Sequence, residues 1–159
     1  MAKVVVVLAL IMAAIQGLYA APRMGIDDES GFLVVSRLMA TEGVSLYQDE
    51  LSGTRLPLPY WIMGLSQRHR PSLMAGRYLA LGIGLLVVLL TAWVAHRIGG
   101  PWAGALAALF LATNGVVMAY FTTATYVSIA NLVLLLVGLG LVAAFAFSDG
   151  ARQRITDAK

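Results

Sequence analysis

Three consecutive carboxylates, Asp27, Asp28 and Glu29, follow closely on a hydrophobic N-terminal run in a chain that otherwise keeps charge out of its long apolar segments. Carboxylates just outside a first membrane span, at the head of a polar loop, have two uses. They can address a lipid-linked substrate at the membrane surface. They can also cap a helix, whose first turn carries partial positive charge. Capping accounts for one or two of the three. The other chemistry-bearing types are sparse: His69 and His96 lie beside arginines and read as solvated interfacial residues, so no histidine metal site is expected. There is no Gly-rich phosphate loop, His-Glu metal pair or Ser-His-Asp set. Cysteine is absent, which removes disulfides, thiolate metal sites and cysteine nucleophiles.

The elements that must position these residues follow from composition. Of the 159 residues 60% are hydrophobic and only 12% charged, with a mean hydropathy of +0.83, which together indicate an integral membrane protein. The net charge of +3 arises from 11 Lys/Arg against 8 Asp/Glu without a basic run, so it reads as membrane topology and excludes a nucleic-acid surface. Four runs suit a hydrocarbon core that needs roughly 20 helical residues: 4–21, 73–95, 101–120 and 126–147. Bulky Leu18 and Tyr19 stand near the end of the first run, where signal cleavage needs small residues, so a retained anchor is expected. Gly99-Gly100-Pro101 separates the second and third spans, and only residues 120–125 separate the third from the fourth, which predicts an antiparallel hairpin. Gly104, Ala105, Ala107, Ala108 and Ala112, then Gly138, Gly140, Ala143 and Ala144, favour close helix packing, with Asn114 and Asn131 as interhelical hydrogen-bonding groups.

The expected architecture is therefore an all-α integral membrane protein, a single membrane domain over residues 1–147. It has four transmembrane helices, one long external loop over 22–72 and a polar cytoplasmic tail over 148–159. Six arginines on the loop side are balanced by Asp27, Asp28, Glu29, Glu42, Asp49 and Glu50. Lys3, Arg97, Arg152, Arg154 and Lys159 mark the other side, which places the termini in the cytoplasm and the loop outside, as in a bacterial inner membrane. The loop carries two short juxtamembrane helices. The first runs from Ser30 to Glu42 with Phe32, Val35, Leu38 and Met39 on its apolar face, a cap from Asp28 or Ser30, and Gly43 as its stop. The second follows Leu56-Pro57-Leu58-Pro59 and sets Tyr60 and Trp61 at headgroup level.

The order of these features resembles the N-terminal part of the GT-C glycosyltransferases, the multispan enzymes that include protein mannosyltransferases and aminoarabinose transferases. The resemblance is carried by the first span, Asp27-Asp28-Glu29 at the head of a juxtamembrane helix, and Ala40-Thr41-Glu42-Gly43 leading to Leu46-Tyr47. It continues through residues 55–61, Ala75-Gly76-Arg77 and the hairpin as far as Ala124-Thr125-Tyr126. It implies sugar transfer at the outer membrane face from a polyprenyl-phosphate lipid. Asp28, with Asp27 and Glu29 beside it, would then be the catalytic carboxylate and would help hold a divalent metal, because an acceptor hydroxyl is a poor nucleophile until a base or metal takes its proton. Arg55 would neutralise the lipid phosphate, a role suited to a guanidinium fork. Arg77, Tyr60 and Trp61 complete the phosphate- and lipid-binding set. Interfacial anchoring explains Arg55 and Arg77 equally well.

Two departures from the family pattern bear on function. Val127 and Ser128 follow the Ala-Thr-Tyr turn where many members carry an aspartate, and the polar tail follows the fourth span where members continue through further spans. The expectation is a non-catalytic, GT-C-derived accessory subunit without a cofactor or metal, packed against other membrane protein subunits and lipids. The alternative is the N-terminal portion of a glycosyltransferase, with Asp28 and Glu29 as metal ligands.

Overall fold

The computed structural model describes residues 1–23, 29–44, 57–125, 127 and 129–139, and every regular element among them is a helix. In chain order these are α1 (Ala2–Ala20), α2 (Glu29–Thr41), α3 (Pro57–Gln67), α4 (Leu73–Thr113), α5 (Gly115–Phe121) and α6 (Ile129–Leu139). Two of them, α1 and α4, are long and apolar enough to cross a membrane.

The side chains of α1 are arranged in a way a water-soluble helix avoids. Its small residues Ala9, Ala13 and Gly17 recur every four positions and are buried, while Val4, Leu8, Ile11, Ile15 and Leu18 are about half exposed or more. In water the large apolar residues would turn inward. Between lipid tails nothing is gained by hiding them, and small residues at the contact let helix backbones approach. The small stripe of α1 packs on α4, with Gly17 against Leu81, and Ala9 and Ala13 in one cluster with Leu81, Val88 and Ala92.

Helix α4 is two arms joined at a reversal. Gly100 has φ of 83° and ψ of −175°, a conformation that residues with a Cβ rarely adopt, and Pro101 follows with its φ already set for a first helical turn. The arm over residues 101–113 returns along the arm over 73–99, placing Gly104 against the Ala92 carbonyl and His96. The Gly99-Gly100-Pro101 break thus stands where the sequence puts it. Of the small residues named for the returning arm, Gly104, Ala105, Ala108 and Ala112 are buried. Gly138 in α6 is exposed with no side-chain neighbour, and Gly140, Ala143 and Ala144 lie outside the described residues.

The continuous third span expected over 101–120 is divided. The Thr113 hydroxyl bonds back to the Leu109 carbonyl at 2.8 Å, Asn114 turns extended, and its side-chain oxygen accepts from Val117 N at 3.1 Å to cap α5. Asn114 is therefore a helix cap and not an interhelical bonding group, because its short amide satisfies a local backbone donor at a helix start. Past the break, Phe121 packs on Gly84 and Ala124 on Gly76, so the chain continues back along α4 to the level at which that helix began.

Both short helices between α1 and α4 are present. Gly43, at φ of 68°, follows the last turn of α2. The buried face of α2 is Glu29, Phe32, Leu33, Ser36 and Met39, rotated from the expected one so that Val35 and Leu38 are only partly buried. Ser36 can face inward because its hydroxyl is satisfied by the Phe32 carbonyl at 2.7 Å. Gly64 of α3 meets the Ser36 carbonyl and Ala40, and the Phe32 and Tyr60 rings lie 4.4 Å apart between centroids.

A Cβ added at Gly84 would fall 2.5 Å from the Phe121 ring. Gly84→Ala should therefore cost about 1–3 kcal/mol by overpacking. Combining it with Phe121→Leu should cost less than the sum of the two single changes. Thermal unfolding of the four proteins in detergent checks this, and strict additivity would show that the two sites are not in contact.

Candidate functional site

The corner between α3 and α4 fixes where Arg77 enters the bundle. Gln67, 2% exposed, donates from Nε2 to the Ser72 carbonyl at 3.0 Å and accepts from Ser72 N at 2.9 Å. Ser72 then caps α4 by accepting from Ala75 N at 3.2 Å. Arg77 lies within the first turns of this helix and is 5% exposed. A guanidinium withdrawn that far from solvent costs several kcal/mol unless it is paired and its donors are used.

Glu29 provides the pairing. Arg77 Nη2 lies 2.5 Å from Glu29 Oε2 and Nε lies 3.3 Å from Oε1, a two-pronged contact matching fork to carboxylate. Arg77 Nη1 donates to the carbonyl of Ala21, at the C-terminus of α1 where backbone acceptors lack helical partners. Glu29 Oε1 also accepts from Ala124 N at 2.6 Å. One ion pair thus joins the end of α1, the start of α2, the body of α4 and the turn after α5. Glu29 itself is 4% exposed.

Of the residues singled out from sequence, the structure brings Glu29 and Arg77 together and turns both inward. Glu29 accepts from three donors, so most of its roughly four lone-pair sites are committed to holding the chain. Tyr60 is buried against Phe32, while Trp61, the next residue of α3, is 52% exposed on the outside. Asp27, Asp28 and Arg55 lie outside the described residues. Among the described residues no group of three or more His, Asp or Glu is placed to hold a metal ion. A groove of about 390 Å³ runs beside α2, lined in part by Ser30, Arg37, Glu42 and Gln67, and contains Leu33 and Leu73 but neither member of the ion pair.

The chain matches no protein-family model, no curated protein and no solved structure.

Sequence reasoning missed the pairing and the role of Gln67. One signal pointed to the pairing: no carboxylate lies anywhere between residues 73 and 95, so an arginine at 77 entering that run needs its counter-ion from another segment. Gln67 gives no such signal, because a glutamine in a polar turn is usually solvated.

Removing one partner should be far worse than removing both. Glu29→Gln is expected to destabilise by about 3–5 kcal/mol, since it leaves Arg77 buried and uncompensated. Glu29→Gln combined with Arg77→Met should recover a large part of that loss. Detergent-phase thermal unfolding reads both, and an Arg77→Met/Glu29→Gln protein no more stable than Glu29→Gln alone would refute the coupling.

Proposed function

We infer that this chain is a non-catalytic transmembrane subunit that packs into a larger membrane protein complex, derived from the GT-C glycosyltransferase architecture. The observation that carries this reading is Glu29. The described member of the carboxylate triplet serves as the buried counter-ion of Arg77 and not as a solvent-facing base. Val127, where the family pattern has an aspartate, withholds a second acidic group. No cofactor is assigned. The exposed apolar surface of α1, α4 and α6, which includes Leu8, Ile15, Leu106, Phe110 and Leu134, supplies the face that lipid and neighbouring subunits cover.

The topology we infer has four crossings of a bacterial inner membrane. These are α1, the two arms of α4 with α5 completing the second, and a helix beginning near α6; α2 and α3 lie on the external face and the termini in the cytoplasm. Supporting it, Lys3 and His96 line one groove, whereas Ala21, Arg77 and Ala124 meet at the opposite end. Arg77 and Arg97 are separated by about 30 Å of helix, the thickness of a hydrocarbon core. The chain has no cysteine, so single cysteines report cleanly. Ile98→Cys should react with an impermeant maleimide only after the cytoplasmic face is opened, and Thr41→Cys and His69→Cys from outside. Labelling all three from one side would refute the topology.

The second reading is the N-terminal portion of a glycosyltransferase that uses a polyprenyl-phosphate sugar at the external face. Asp28, Asp27 and Arg55 would act there, with a divalent metal. The sequence of one apolar helix, two short helices and a helical hairpin favours it. The two readings separate in one experiment. The chain purified in mild detergent should show no transfer from polyprenyl-phosphate sugars, with or without added Mg²⁺ or Mn²⁺, and should elute with a stoichiometric membrane partner. Product formation that Asp28→Asn abolishes would overturn the subunit reading.

A further inference from the structure

At the end of the bundle opposite the ion pair, α1 and the reversal of α4 enclose a groove of about 350 Å³. Val6, Val7, Leu89 and Trp93 form its apolar walls, and Lys3 and His96 stand at its rim. The Arg97 guanidinium lies 5.7 Å from the centre of the Trp93 ring, which holds a further cation beside the same opening. The only described carboxylates, Glu29 and Glu42, belong to the other end of the molecule, so the described charges around this groove are basic. Trp93 and Trp102 are each about half exposed here, as indoles are at headgroup depth.

We propose that this groove is a binding site for an anionic phospholipid of the leaflet on the Lys3 side, with the headgroup phosphate among Lys3, His96 and Arg97 and an acyl chain along Val6, Val7 and Leu89. Charge complementarity selects the anionic headgroup. The apolar walls select a lipid over a free anion, because inorganic phosphate gains nothing from them and would leave them in water. Basic pockets between membrane helices on a cytoplasmic face suit such headgroups, and each cation near the surface contributes about fivefold in affinity. The proposal rests on the membrane embedding inferred above and is independent of the subunit role.

The full chain, purified in a non-ionic detergent, is titrated with dioleoylphosphatidylglycerol, dioleoylphosphatidylcholine or inorganic phosphate, with bound lipid counted by native mass spectrometry and stability followed by thermal unfolding. Phosphatidylglycerol should bind about fivefold or more tightly than phosphatidylcholine at low salt, and the preference should shrink at about 0.5 M NaCl, where exposed charges are screened. Lys3→Gln and Arg97→Gln should each lower phosphatidylglycerol affinity about fivefold, while Arg37→Gln at the opposite end should not. Trp93→Ala should weaken both lipids. Equal binding of the two lipids, a preference indifferent to salt in the unaltered chain, or equal protection by inorganic phosphate would each overturn the site. A chain that stays monodisperse without detergent would instead overturn the membrane embedding itself.

Discussion

A guanidinium held among helices that present almost nothing else polar is the constraint around which this fold is organised. Arg77 cannot remain in that position without a carboxylate and a carbonyl, and the chain meets the need from three distant places: Glu29, Ala21 and, through Glu29, Ala124. Such a pair adds little net stability compared with apolar residues of the same shape. Its value lies in specificity. Between apolar helices many rotations and vertical offsets have similar energies, and a charge pair that only one arrangement can satisfy selects among them.

The rest of the packing is consistent with that selection. Close approach of α1 to α4 and of the two arms of α4 depends on Ala9, Ala13, Gly17, Gly104 and Ala108, which lack the bulk to specify a register by shape alone. Phe121 seated on Gly84 is the exception, a large ring entering a hole left by a missing side chain. Gln67 does a related task at the α3–α4 corner, fastening both backbone groups of Ser72 so that the helix carrying Arg77 starts in a fixed place.

The sequence made local features legible because local chemistry determines them. Gly99-Gly100-Pro101 can be read as a reversal because few other residues tolerate a positive φ followed by a helix start. The first short helix was legible from its apolar spacing and its Gly43 stop, although Ser30 lies inside it and is not its cap, and the second from its proline pair, within which it begins at Pro57. The rotated face of α2 was not, since Leu33 and Ser36 are buried by neighbours distant in sequence, Gly76 and Gly64. The break at Asn114 was hidden for the opposite reason. An apolar run long enough to span says nothing about a backbone turn inside it, and an asparagine in such a run fits an interhelical bond as well as a cap. The carboxylate triplet was recognisable as unusual, and its Glu29 was assigned to chemistry or capping because the arginine that claims it lies 48 positions away.

On the membrane topology we infer, the reversal at Gly100 also bears on how the chain is built into a bilayer. The arm over residues 101–113 rises only about 20 Å, short of a hydrocarbon core of about 30 Å. The opened backbone at Asn114 would strand polar groups in lipid if that arm entered by itself. Joined to residues 73–99 through a turn with no intervening loop, it would enter as half of a hairpin. On that topology the two arms form one insertion unit, and the arginine it carries is fully paired only once the carbonyl of α1, the carboxylate of α2 and the amide of the turn are docked around it.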